Sequence, residues 1–360
     1  MVRVCGIDPG TGSWDFIGLN NGKVTLDTSI PTKNIVSNPS LVIDVIKSMG
    51  NLDLVVAPSG YGLPLTRIDE LDEKKTFLLT LKREEDRKLI GLSEVIKLLI
   101  EERINGYFIP GIKHLPTVPK FRKVGKIDMG TSDKLCSVAL ALYEESKRLH
   151  KDYSEISFIL VEIGSGFTAV MGVKDGKIVD AVGGAEGGIG FLACGGLDAE
   201  VAYLLGKFDK NLIYTGGASY IAGYDGLSPE EFEIMAARGD ERFTLAWEAL
   251  LESAVKDVAA INVSVEGTPQ ILLAGKLSRV DRIQKELGMR LSSFADVRRV
   301  EGFAQIAKEA AQGAALIADG LAGGNNKSLV DSLKIREATG TVLDYIYFKE
   351  IEELRERIGV

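Results

Sequence analysis

The sequence predicts an α/β protein of two lobes, each a mixed sheet flanked by helices, and three observations carry that prediction. One segment occurs twice: Val4 to Lys23 reads VCGIDPGTGSWDFIGLNNGK, and Phe158 to Lys177 reads FILVEIGSGFTAVMGVKDGK. Superposed without a gap, Asp8 falls on Glu162, Gly10 on Gly164, Gly12 on Gly166, Gly18 on Gly172, Gly22 on Gly176 and Lys23 on Lys177. The chain has 360 residues, too many for one core and enough for two. Between and beyond the copies, apolar strand-like runs alternate with helical patterns, the signature of α/β layering. We place the lobes at 1–150 and 151–360.

Each copy reads as an apolar strand ending in a carboxylate, a glycine turn, a second strand and a two-residue hairpin turn. Asn21-Gly22 and Asp175-Gly176 supply the positive φ angles that such a hairpin requires. A helix is expected from Asn38 to Met49, opened by Asn38-Pro39, and a buried strand over Leu52 to Ala57, stopped by Pro58. An insertion follows at about 64–126. It holds a mixed-charge stretch (Lys82 to Lys88), a helix over Ser93 to Glu102, and a short apolar run at Tyr107 to Ile109. A Pro-rich basic loop with Lys113, His114, Lys120, Arg122, Lys123 and Lys126 then leads to a strong helix, Ser132 to His150.

The second lobe opens near Ile156. After its third strand comes a run poor in bulk, Gly183-Gly184-Ala185-Glu186-Gly187-Gly188-Ile189-Gly190. Helices are expected over 197–205, 229–238 and 241–263. A buried strand, Gln270 to Ala274, ends at Gly275 and feeds a helix at Ser278. A short strand over 295–300 precedes an alanine-rich helix, Phe303 to Leu321, and an amphipathic tail that is expected to pack back on the first lobe.

Composition narrows the function classes. Hydrophobic residues make up 45% and charged residues 26%, which is globular rather than disordered. A net charge of −8 argues against a nucleic-acid surface, which needs clustered Lys and Arg. Cys5, Cys136 and Cys194 form no CxxC pair, so neither a disulfide nor a zinc framework is expected. With no apolar run near membrane-span length and no signal-like start, a cytoplasmic protein is expected. A homodimer is an open expectation.

Glycines flanking a small hydroxyl residue let backbone N–H groups approach a phosphate closely. Two such loops face to face would grip a nucleoside triphosphate, and the carboxylates at the strand ends would hold its Mg²⁺. Neither Gly-Lys pair is a Walker loop, and Gly10-Thr11-Gly12 does not continue into a dinucleotide fingerprint. Asp8-Pro9-Gly10-Thr11-Gly12-Ser13 and Glu162-Ile163-Gly164-Ser165-Gly166 together resemble the paired phosphate loops of the acetate kinase, sugar kinase, Hsp70 and actin superfamily. That resemblance implies two ribonuclease H-like lobes of actin-like ATPase architecture, with ATP and Mg²⁺ bound between them. It implies phosphate contacts from Gly10, Thr11, Gly12, Ser13, Gly164, Ser165 and Gly166, and metal binding by Asp8 and Glu162, with Asp8 also part of the catalytic set.

Three further segments carry the resemblance. Ile271 to Gly275 with Lys276 is similar to the superfamily's adenosine motif, with Ala274 where the first of two glycines usually stands. The alanine-rich helix is similar to the second interdomain connection, and close helix packing explains the same residues. Gly130-Thr131-Ser132-Asp133-Lys134-Leu135 resembles the segment of type III pantothenate kinases whose Asp is the catalytic base. An Asp in a first helical turn also suits the helix dipole. Arg122 and His114 in the basic loop would suit an anion clamp, or simply a solvated loop.

The stretches Gly6 to Ser13, Gly130 to Lys134, Glu162 to Gly166 and Ala181 to Asp198 resemble an archaeal family of predicted butyrate kinases. Acetate and butyrate kinases carry Asn, Pro and Arg after the third strand of lobe two. Here that place holds Glu186-Gly187-Gly188-Ile189-Gly190, from which Gly187 and Gly188 are assigned to the nucleotide. The reading is therefore an ATP- and Mg²⁺-dependent phosphotransferase on a small molecule, with a short-chain carboxylate as the named acceptor. Two alternatives stand: a kinase of a hydroxyl substrate with Asp133 as base, and an ATPase switch that regulates a protein partner.

Overall fold

The computed structural model describes residues 1–83, 91–223 and 226–360. From residue 84 onward, the mixed-charge stretch lies outside them. Two mixed sheets organise the chain. The first contains β1 (Arg3–Pro9), β2 (Ser13–Asn20), β3 (Lys23–Pro31), β4 (Leu54–Val56), β5 (Thr66–Arg67) and β6 (Gly106–Phe108), in the order β3-β2-β1-β4-β6-β5. The second contains β7 (Phe158–Ile163), β8 (Thr168–Lys174), β9 (Lys177–Val182), β10 (Gln270–Ala274) and β11 (Asp296–Arg299), in the order β11-β10-β7-β8-β9.

The sequence repeat is a structural repeat. In each sheet three antiparallel strands are followed by two parallel strands on the open side of the first, and the short β5 then adds antiparallel at the edge of the first sheet. Asn21 (φ 49°), Gly22 (φ 76°), Asp175 (φ 51°) and Gly176 (φ 70°) occupy the left-handed region, as the hairpins require. The second strand of each copy carries a register shift at the same aligned place, between Gly18 and Leu19 and between Gly172 and Val173. A Cβ at Gly18 would lie 2.8 Å from the Met49 sulfur, and one at Gly172 would lie 2.9 Å from Ile261 Cγ2. Bulge and close approach therefore select glycine twice.

Period-two alternation assigns the faces. Val4, Ile17, Phe158, Leu160 and Met171 point into one core between the sheets, shared with the helices Ser132–Leu149 and Glu309–Leu321. Cys5, Ile7 and Phe16 point the other way, beneath the helices Ser40–Ser48 and Leu92–Glu101. The tail helix Lys349–Ile358 adds Ile351, Leu354 and Ile358 to that face. Ile159, Val161 and Val170 meet the helices Glu241–Asn262 and Asp281–Leu291.

The helix Glu309–Leu321 lies unusually deep. A Cβ on Gly313 would sit 1.8 Å from the Cys136 carbonyl, and one on Gly6 would sit 2.1 Å from the Ala315 nitrogen. Backbone therefore packs on backbone at both crossings, which explains the small residues along this helix.

Several elements depart from expectation. The stretch 64–126 contributes β5 and β6 to the first sheet. A helix not expected from the sequence, Thr32–Ser37, precedes the one that starts at Ser40. The alanine-rich helix begins at Glu309, six residues late. The Asp27 carboxylate accepts from the N–H groups of Gln305, Ile306 and Ala307, and Gln312 Oε1 accepts from those of Phe303 and Ala304. With those donors satisfied elsewhere, the segment has no need of a helical ladder. No helix among the described residues is long and apolar enough to cross a membrane.

Candidate active site

The two glycine turns meet across a cleft of about 430 Å³ between the sheets. Their local construction is the same. Gly10 N–H donates to the Ser13 carbonyl at 3.0 Å, and Gly164 N–H donates to the Phe167 carbonyl, at the aligned position, at 2.9 Å. The loops face each other closely enough that a Cβ on Gly166 would lie 3.4 Å from Thr11 Oγ1. Across the turns, the N–H groups of Thr11, Gly12, Ser165 and Gly166 have no protein acceptor among the described residues. A set of unengaged amides on facing turns is chemistry suited to phosphate oxygens.

Asp8 lies near the end of β1 and Glu162 near the end of β7, one on each wall and both buried. Asp133 lies in the first turn of the helix Ser132–Leu149 and lines the same cleft. Gly10, Thr11, Gly12, Ser13, Gly164, Ser165, Gly166, Gly275 and Lys276 complete the expected residues that the cleft gathers. Gly275 adopts φ 86°, and a Cβ there would meet the Ile163 carbonyl at 2.5 Å, so the turn after β10 requires glycine.

Three assigned residues do not line it. Ala274 is buried in β10, paired in register with Glu162. Gly187 and Gly188 pack on the helix Glu241–Asn262, where Gly188 N–H donates to Asp257 Oδ2 at 2.7 Å. Gly184 and Ala185, earlier in the same run, reach the cleft instead. The basic loop also turns inward. Arg122 donates to the Val179 carbonyl at 2.8 Å and pairs with Asp180, while Lys113 and Lys123 donate to backbone carbonyls. His114 is buried away from the cleft, and its proton affinity is pushed down to about 4, chiefly by burial.

The cations at the site come from elsewhere. Lys308, which caps the helix Glu309–Leu321, sits 3.2 Å from Asp8 and 3.3 Å from Asp15. Lys134 bridges Asp133 Oδ2 at 2.7 Å and Glu162 Oε1 at 2.6 Å. Burial raises Asp8 to about 6 although Lys308 opposes the rise. Burial also raises Glu162 against the pull of Lys134. At Asp133 the balance reverses: burial would raise it, but the Lys134 ammonium and the Thr131 hydroxyl hold it below the ordinary carboxylate range. Asp128, raised by burial, accepts from Gly130 N–H (2.8 Å) and Ala185 N–H (3.0 Å), joining two walls. Tyr61, Phe167 and Tyr214 also line the cleft, with the Phe167 and Tyr214 rings 5.2 Å apart edge to face.

Lys308 with its partner Asp15, Asp128 and the three aromatic residues were not legible as belonging to the site. Asp15 aligns with Ala169 in the second copy, so the repeat gives it no emphasis. Lys308 lies inside the alanine-rich segment, where the small residues rather than the lysine carry the pattern. Lys134 follows Asp133 directly in sequence, and nothing in that spacing shows that its ammonium reaches across to Glu162.

No group of three or more His, Cys, Asp or Glu side chains among the described residues forms a metal cage. Asp8, raised by burial, and Glu162, whose Oε2 is buried without a hydrogen-bond partner, do fit a magnesium ion that arrives on phosphates. Such an ion takes one or two carboxylates and keeps several waters.

Comparison with known families agrees with this architecture. The family model described as "Protein of unknown function (DUF1464)" matches residues 6–348. The chain belongs to that family. A probable butyrate kinase of Oceanobacillus iheyensis is 27% identical over 164 residues, 42% of this chain and 45% of that protein. The match thus spans less than half of that curated relative's length.

Among solved structures, a propionate kinase from Francisella tularensis subsp. tularensis superposes with TM-score 0.64 at 14% identity, covering 87% of this chain and 99% of that one. An acetate kinase from Entamoeba histolytica gives 0.59 at 13% identity, with coverages of 81% and 87%. At such identities the likeness establishes the fold, and that fold is the actin-like ATPase architecture expected from the loops.

Proposed function

We propose that the protein is an ATP- and Mg²⁺-dependent phosphotransferase acting on a small molecule, with a short-chain carboxylate as acceptor. The observation that carries this reading is the pair of facing glycine turns with unengaged amides, each behind a buried carboxylate. Gly10 to Ser13 and Gly164 to Gly166 would hold the terminal phosphates through backbone N–H groups. Gly275 and Lys276, with Ala274 behind them, would form the wall against adenosine. Asp8 and Glu162 would hold Mg²⁺, which when bound would neutralise phosphate charge. The 1–150 and 151–360 lobes would close around the nucleotide. The protein's part is then position and charge stabilisation of an in-line transfer, rather than covalent chemistry.

The state of Asp133 favours a carboxylate acceptor over a hydroxyl. A carboxylate clamped by Lys134, with lowered proton affinity, is a weak general base. A carboxylate acceptor is already deprotonated at neutral pH and needs no base. Release of ADP with acetate, propionate and butyrate tests the reading. Asp133→Asn should then lower kcat by no more than about tenfold, because no proton must be removed. Activity confined to hydroxyl acceptors, with a loss of about 10²-fold or more in Asp133→Asn, would replace this reading with general-base catalysis.

A further inference from the structure

Two carboxylates of the cleft, the buried Glu162 and the half-buried Asp133, already share a cation. Lys134 is one of the cleft-lining residues and only 9% exposed. Its ammonium lies 2.7 Å from Asp133 Oδ2, on the helix Ser132–Leu149, and 2.6 Å from Glu162 Oε1, on the second sheet. Adjacent helical side chains do not ordinarily face each other, yet the Lys134 ammonium meets both Asp133 and Glu162. The ammonium therefore stands where a cation bridging the two carboxylates would stand. Removing it would leave a buried and a half-buried carboxylate within a few ångströms of each other, an unfavourable arrangement without a replacement charge.

We propose that the Lys134 ammonium is a built-in cation that keeps the Asp133–Glu162 pair from binding a divalent metal while the cleft holds no nucleotide. A metal would then enter with phosphate oxygens as its main ligands, and Glu162 would meet it through the unpartnered Oε2. The second clause rests on the nucleotide reading above, whereas the first concerns only the ion pairs. A titration without nucleotide tests the first clause alone, and failure of ATP binding would leave its result unchanged.

The experiment is a MnCl₂ titration of the full chain without nucleotide, with free Mn²⁺ read by electron paramagnetic resonance. Wild type should show no site that Glu162→Gln removes. Lys134→Met should gain one Mn²⁺ ion held at least tenfold more tightly than any site in wild type. Adding Glu162→Gln to Lys134→Met should abolish that site, and Lys134→Arg, which restores the cation, should titrate like wild type. Equal binding by wild type and Lys134→Met, or a new site that survives Glu162→Gln, would overturn the proposal. If thermal melting shows Lys134→Met unfolded, wild type against Glu162→Gln decides. Matching titrations support the proposal, and a wild-type site lost in Glu162→Gln overturns it.

Discussion

The buried carboxylates Asp8 and Glu162 pair with lysines, whereas the buried His114 has a backbone carbonyl beside its ring. His114 is 2% exposed, with Nδ1 3.3 Å from the Gly111 carbonyl. Burial and the nearby Lys123 and Lys113 keep it neutral, so its folded value of about 4 lies below the ordinary 6.5. In the unfolded chain it protonates first as pH falls. Its contribution is fully present above pH 6.5 and is lost as pH falls through about 4. The loss amounts to about 3 kcal/mol, on the order of 1.4 kcal/mol for each unit between the two values. Urea unfolding at pH 7 and pH 4.5 should show a clearly steeper loss for wild type than for His114→Gln. Parallel pH dependences would show that His114 does not titrate in this window.

Elements in this fold begin and end where distant side chains take up backbone groups. Asp27 on β3 accepts from three successive N–H groups at 305–307, with distances of 2.8 to 3.0 Å. Asp27→Ala should cost about 1–2 kcal/mol, near the upper end for a lost helix cap, because three N–H groups lose their acceptor at once. Chemical denaturation measures it, and a cost below about 0.5 kcal/mol would show that water replaces the carboxylate. The same contact marks the limit of sequence reading. The repeat was legible because its glycines and carboxylates recur in register, and each side of the repeat needs the same turn chemistry. The start of the helix at Glu309 was not legible, because its amides are captured from 280 residues away. Gly187 and Gly188 looked like cleft residues for their lack of bulk, but that lack serves close packing on Ser253 and Asp257.

At the scale of the whole molecule, one cleft gathers Asp8, Asp133 and Glu162 from parts of the chain far apart in sequence. The fold holds them there by stacking both sheets on two helices whose glycine contacts leave no room for slippage. The account's central claim is that this cleft binds a metal–nucleotide complex through the paired turns. Isothermal titration of the full chain with MgATP and MgADP tests it most directly. Wild type should bind one equivalent. Asp8→Asn should weaken the magnesium complex by about tenfold, roughly 1.4 kcal/mol, while changing metal-free ATP less. No heat from wild type at millimolar MgATP or MgADP, or equal affinities for wild type and Asp8→Asn with Mg²⁺ present, would contradict the account.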